Sequence, residues 1–144
     1  MNMNLTEAQQ AFLENTHSAG MITIARDGTP KVARVGIALV DGRLWSSGTQ
    51  ERTRTARLRR DPRCTLYVHE AAYRWLALET TVRILDGPDM PMLQVHMFRL
   101  MQNRPTGDLS WFGKELGEEE FVQLMVKEQR LMYEFDIQRC YGMV

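Results

Sequence analysis

Six arginines fall within twelve residues of this chain: Arg52, Arg54, Arg57, Arg59, Arg60 and Arg63. A guanidinium is a rigid fork matched to phosphate and carboxylate oxygens, and each charge-assisted bond it makes is worth about 1.5–3 kcal/mol. The segment predicts a short helix from about 51 to 61, with Thr49 or Thr53 available as a cap and Pro62 to stop it. On that helix Arg54 and Arg57 share one side near the N-terminus, where free N–H groups and the helix dipole also favour an anion. Ala56 and Leu58 provide the inward anchor. Just before it, Ser46-Ser47-Gly48-Thr49 is a strand end of small and hydroxyl residues, which lets a ligand approach the backbone. Strand end, small loop and arginine-bearing helix start together describe a phosphate pocket. The competing reading is a solvated helix face whose arginines pair with Glu51, Asp61 and other acids.

Other reactive residues are sparse. His17, His69 and His96 show no i, i+4 pairing and no acid completing a ligand set, so no metal site is expected. No GxSxG occurs, and Cys64 opens a strand, where a buried structural thiol is expected. Glu118-Glu119-Glu120 marks a helix N-terminus. No acid–base dyad follows, and no catalytic residue is singled out. Met90, Met92, Met97 and Met101 stand at largely helical spacing, suited to a core or a dimer interface. Tyr73 and Trp75 flank Arg74 in a strand. Trp111-Phe112 lies in a loop, as a lid or a partner surface.

The elements that position these residues are mostly strands. Thr6 with Gln9 reads as a capping box opening a helix over about 6–16. MITIAR and KVARVGIALV are β-branched, alternating runs joined at Asp27-Gly28, and Asp41-Gly42 turns the second into RLWSS. After the arginine helix, CTLYVHE and RWLALETTVRIL pair around Ala71-Ala72. Asp86-Gly87-Pro88-Asp89 leads into an amphipathic helix, MPMLQVHMFRLMQ. Residues 104–117 read as loop, GEEEFVQLMVKEQ as a short helix, LMYEFDI as a closing strand and QRCYGMV as a tail. About six antiparallel strands with inserted helices predict a small β-barrel carrying helices on its rim.

Composition narrows the function. The 18 basic and 18 acidic residues cancel, which argues against bulk attraction to nucleic acid or membrane. Of the basic residues 15 are arginine and three are lysine, so any anion site is local and fork-shaped. Two cysteines, Cys64 and Cys140, make no disulfide framework. The N-terminus has no apolar stretch of signal-peptide length and no run reaches 18 apolar residues, which predicts a cytoplasmic protein. With 144 residues and 44% hydrophobic residues, one domain over 1–144 is expected.

The run GMITIARDGTPKVARVG, then LWSSGTQERTRTARLRRDPRCTLYV, then RWLALETTVRIL resembles the pyridoxamine 5'-phosphate oxidase-like split barrels. Within these it is most similar to small actinobacterial flavin/deazaflavin oxidoreductases that use coenzyme F420. RTRTARLRRDP is the most specific stretch, and the resemblance runs to FDIQRCYG. It implies a six-stranded split barrel that dimerises, with the cofactor in grooves at the subunit interface. Carried across, Arg54 grips the cofactor phosphate, helped by Arg52 and Thr53. Ser47, Gly48 and Thr49 lie along the ribityl chain and ring, and Val35 and Gly36 border the ring. The ending IQRCYGMV lacks the Arg- and Trp-bearing segment that grips pyridoxal, so vitamin B6 oxidation is not implied. Arg57, Arg59, Arg60 and Arg63 exceed the needs of one phosphate and match the polyglutamate tail of F420, which FMN lacks. The expected activity is F420-dependent hydride transfer to an electron-poor acceptor such as an enone, quinone or tetrapyrrole. The alternatives are an FMN-dependent oxidoreductase on the same barrel, or a non-catalytic flavin-, deazaflavin- or haem-binding protein.

Overall fold

The computed structural model describes residues 3–144; the first two residues of the expected 1–144 domain lie outside it. The first helix, α1 (Glu7–Glu14), starts on the expected capping box: Gln9 N donates to Thr6 Oγ1 at 3.1 Å, and Thr6 N donates to Gln9 Oε1 at 3.0 Å. Its Phe12 and Leu13 enter the main core.

Strands β1 (Ser18–Ile24) and β2 (Pro30–Gly36) form the first hairpin. The run expected as one strand from Lys31 to Val40 is broken at Ile37, with β3 (Ala38–Val40) continuing beyond it. Ile37 is fully buried and its N–H donates to His17 O at 3.1 Å. The break shapes the sheet. Its strand order is β2-β1-β5-β6-β9-β4-β3, so two consecutive pieces of chain form its opposite edges. One bent stretch thereby pairs with β1 through its first half and with β4 (Arg43–Thr49) through its second, curling the antiparallel sheet into a split barrel. The seven strands of this sheet are the expected six with one divided. Asp41 (φ 50°) and Gly42 (φ 80°) both adopt the left-handed conformation that a two-residue hairpin turn demands.

The arginine helix, α2, spans Thr53–Arg60. Neither Thr49 nor Thr53 caps it: the N-cap is Arg52, with no side-chain cap bond. Strands β5 (Arg63–His69) and β6 (Trp75–Leu85) pair as expected. Helix α3 (Met90–Gln102) follows, with a proline in its first turn and no side-chain bond from the Asp89 N-cap. Met90 and Met97 are buried, whereas Met92 is exposed.

Two segments differ from expectation. The 104–117 stretch contains a second, two-stranded sheet, β7 (Leu109–Trp111) and β8 (Lys114–Leu116), turned at Phe112 (φ 46°) and Gly113 (φ 82°). A phenylalanine in the first turn position conceals a hairpin that Asn-Gly or Asp-Gly would announce. After α4 (Glu118–Lys127), strand β9 runs from Arg130 to Met143 and takes in the supposed tail. Arg139–Met143 pair with Trp75–Glu79 beyond an irregularity at Glu79/Thr80. Those last residues are mostly exposed, so no apolar alternation betrays their pairing.

The interior of the barrel is the main core, with Leu44, Leu66, Leu76, Leu78, Tyr133 and Phe135 almost wholly excluded from water. Two smaller clusters lie outside it. One joins α3 to β3, β4 and β9 through Met90, Met97, Trp45 and Met132. The other joins α3, the β7–β8 hairpin and α4 through Val95, Leu109, Phe121 and Met125. Among the described residues no helix is long and apolar enough to cross a membrane.

Candidate cofactor cleft

Side chains alternate across a strand, and this splits β4 between two tasks. Ser46 and Gly48 face the barrel interior and are buried, while Ser47 turns outward into a cleft of about 290 Å³. One wall of the cleft is cationic, made by Arg34, Arg52, Arg54 and Arg130. The other is apolar, made by Met97, Phe98 and Met101 of α3 with Trp111 and Phe112 of the hairpin. Val35 and Gly36 form its border at the end of β2. Among the described residues no aspartate or glutamate lines it.

The four arginines are not equivalent. Arg130 donates to Glu128 Oε1 from Nη2 at 2.6 Å and from Nε at 2.9 Å, and to Ser47 Oγ from Nη1 at 3.4 Å. Its guanidinium also lies 4.9 Å from the centre of the Trp111 ring. Arg34 Nε donates to Ser18 Oγ at 3.1 Å. Arg54 is half-buried, and its Nε is buried without a hydrogen-bond partner. Burial pulls the Arg54 pKa below its ordinary value, the neighbouring Tyr133 phenol opposes this, and the charges of Arg52 and Arg130 add to the lowering. An unpaired, partly desolvated cation is costly, and an anion in the cleft relieves that cost. The residues present therefore fit a phosphorylated, aromatic cofactor.

A buried scaffold sets Arg54 in place. Thr55 Oγ1 donates to Thr49 O at 2.7 Å and is also hydrogen-bonded to Tyr133 Oη. With the threonine proton committed to Thr49 O, the phenol is the donor to Thr55. A Cβ at position 48 would lie 2.6 Å from Tyr133 Cε2, so Gly48 makes room for this ring rather than for a ligand. Gly48 and Thr49 accordingly do not line the cleft; they hold α2 against β4.

Thr53 and Arg57 stand elsewhere. They line a second groove of about 180 Å³ with Met21, Thr23, Lys31, Val32 and Ala33, and Arg52 and Arg54 separate it from the first. The remaining arginines of the run are engaged: Arg59 with Gln50 Oε1 at 2.8 Å, Arg60 with Ile24 O, and Arg63 with Asp61 Oδ2 at 2.7 Å. Nothing in the sequence marks Arg34, Arg130 or Phe98 for the cleft, and Met97 and Met101, expected in a core or dimer interface, join Trp111-Phe112, expected as a lid or partner surface, in one wall. Arg34 alternates with Val35 in a strand read only for its backbone.

Elsewhere, Cys64 is buried, and desolvation pushes its thiol up to about 12. His69 is exposed, with Nδ1 2.9 Å from Glu70 O. Among the described residues no three histidine, cysteine, aspartate or glutamate side chains could hold a metal ion.

No curated protein matches the sequence. Among solved structures, a conserved hypothetical protein of Mycobacterium tuberculosis, Rv2991, superposes with a TM-score of 0.75 at 21% identity, covering 99% of this chain and 86% of that one. An F420 reductase superposes at 0.68 with 18% identity, covering 95% and 98%. An FAD-binding protein of Mesorhizobium loti superposes at 0.63 with 16% identity, covering 96% and 94%. Likeness at such identities shows the fold. The sequence profile of the pyridoxamine 5'-phosphate oxidase family matches residues 5–142, nearly the full length, and the chain belongs to that family.

Proposed function

We propose that the protein is an F420-dependent oxidoreductase that reduces an electron-poor organic acceptor. The observation that carries this reading is the cleft itself, where the half-buried Arg54, its Nε without a partner, shares the lining with an aromatic and methionine wall and with no carboxylate among the described residues. When bound, reduced F420 supplies a hydride-donating deazaflavin ring. Arg54 and Arg52 bind its phosphate, with Arg34 beside them. Phe98, Met97, Met101 and Trp111 cover the ring and exclude water, which strengthens every electrostatic contact inside. Thr53, Arg57 and Lys31 take the carboxylate tail in the adjoining groove. This second groove supports F420 over FMN, which has no such tail, and a superposable F420 reductase agrees with that choice.

A cleft of about 290 Å³ sits at the small end of ligand pockets, which run roughly 300–1000 Å³. A second copy of the chain completes it in this proposal, as the family resemblance implies. Titration of the purified protein with F420 and with FMN, followed by fluorescence, tests the reading. F420 should bind at micromolar concentration or below and FMN more weakly. Arg54→Ala should lose about tenfold to a hundredfold in F420 affinity, the range of one charged hydrogen bond. Preference for FMN would move the protein to a flavin-dependent reaction on the same barrel. Binding of neither ligand would overturn the assignment.

A further inference from the structure

Across the Trp111-Phe112 wall from the cofactor cleft lies a separate groove of about 490 Å³ between the β7–β8 hairpin and α4. Its volume falls within the range of small-molecule sites, roughly 300–1000 Å³. Trp111, Phe112, Leu116 and Leu124 make it apolar. Lys114 on the hairpin and Lys127 at the end of α4 also line it, and these are two of only three lysines in the sequence.

Charge decides what such a groove takes. Three acids of the hairpin and the ends of α4 are already paired: Glu118 with Arg99 at 3.0 Å, Glu115 with Arg104 at 2.7 Å and Glu128 with Arg130 at 2.6 Å. Neither lysine side chain makes an ion pair or a hydrogen bond among the described residues. Glu120 brings one negative charge to the lining, so the groove keeps an excess of one positive charge. The aromatic wall is stiff on one side and open on the other. Trp111 meets Phe98 at 5.4 Å and Phe121 at 5.6 Å, centre to centre, whereas Phe112 is 87% exposed in a left-handed turn. A large apolar residue held exposed and at positive φ is costly, and a ligand covering it recovers part of that cost.

We propose that this groove is a binding site for an aromatic or conjugated small molecule carrying carboxylates, its apolar body on Trp111 and Phe112 and its anionic groups on Lys114 and Lys127. Trp111 and Phe112 stand between this groove and the cofactor cleft, so a ligand here stiffens the wall of that cleft without meeting the cofactor ring, and that part of the inference rests on the function proposed above.

The test separates the two. Anilinonaphthalene sulfonate is an anionic arene, and N-phenylnaphthylamine is the same arene without the charge. Each is titrated by fluorescence into full-length protein and into Lys114→Glu/Lys127→Glu, all in the Arg54→Ala background so that the cofactor cleft's phosphate grip is removed. The anionic probe should lose about tenfold or more in affinity in the charge-reversed protein while the neutral probe changes less than about twofold. Phe112→Ser should weaken both probes. An unchanged anionic probe, a parallel loss of both probes in the lysine variant, or no binding to the starting protein would each overturn the proposal. The milder pair Lys114→Gln and Lys127→Gln repeats the measurement if charge reversal disturbs folding. Failure of F420 titration alongside success here would overturn the cofactor assignment and leave the groove standing.

Discussion

The two walls of the cleft are built in opposite ways. The arginine wall is an extension of the barrel core: Gly48, Thr49, Thr55 and Tyr133 interlock, and Leu58 of α2 is buried in the same cluster as Leu131 and Phe135. The aromatic wall belongs to a satellite, where α3, the β7–β8 hairpin and α4 share a small cluster around Phe121 and Leu109. A phosphate site needs donors held to within a fraction of an ångström, which rigid core packing provides. A wall built on a satellite cluster can open without disturbing the barrel.

The largest expected effect breaks the satellite. Phe121 is fully buried and touches Phe98 and Trp111, so Phe121→Ala should cost about 3–5 kcal/mol of local packing. Hydrogen exchange should show α4 and the hairpin losing protection while β4 and α2 keep theirs. Uniform loss throughout the chain would show that the two walls are one cooperative unit. Next comes Gly48→Ala, which forces the Tyr133 ring aside and should cost about 1–3 kcal/mol. Denaturant unfolding measures it, and F420 affinity should fall with it because Arg54 follows Thr55 on the same helix turn. Equal stability would mean that the ring relaxes freely and that the scaffold is softer than its packing suggests.

Tyr133→Phe is subtler. It keeps the ring against Gly48 and leaves Thr55 bonded to Thr49 O, removing the phenol's donation to Thr55 and its support of the Arg54 charge. A stability loss of about 0.5–1.5 kcal/mol is expected, the usual worth of one neutral hydrogen bond. If Tyr133→Phe lowers cofactor affinity while the hydrogen-exchange protection of α4 and the hairpin is kept, the division of labour between the walls is sharpened. If both fall alike, it fails.

Sequence patterns exposed the core-built wall far better than the satellite. Asp27-Gly28 and Asp41-Gly42 announce their hairpins, with Gly28, Asp41 and Gly42 at positive φ, and Thr6 with Gln9 announces α1. The arginine run is visible because its residue type is unusual at that density. Which arginines face the cleft is not visible, since Arg59 and Arg60 find partners at Gln50 and Ile24 through tertiary folding, whereas Arg63 takes the neighbouring Asp61, one of the acids offered by the solvated-face reading. The break at Ile37 is marked only by Gly36 before it, in a run whose other neighbours are apolar. The hairpin is hidden by Phe112 at a turn position, and the end of β9 by exposed residues held through backbone pairing with β6. Arg130 became legible only once β9 placed it opposite Thr49.

The smallest effect concerns the junction where α2 hands over to β5. Asp61 accepts from Arg63 Nε at 3.0 Å, Nη2 at 2.7 Å and N at 3.2 Å, and these bonds hold its carboxyl down to about 2 from an ordinary 3.8. A carboxyl whose pKa is depressed by folding stabilises the fold fully above its unfolded value, and that contribution fades as pH falls through the folded one. The pair's contribution is therefore complete above about pH 4 and lost by about pH 2. Because the pair is exposed to solvent, screening keeps the effect small. Asp61→Asn should flatten the fall of Tm between about pH 4 and pH 2 and leave the curve above about pH 5 shifted little. A variant whose Tm follows the parent through that window would show that the backbone bond from Asp61 N to Arg57 O, at 2.8 Å, ends the helix unaided. The rigidity of the arginine wall would then rest entirely on its inner face, on Tyr133, Thr55 and Leu58.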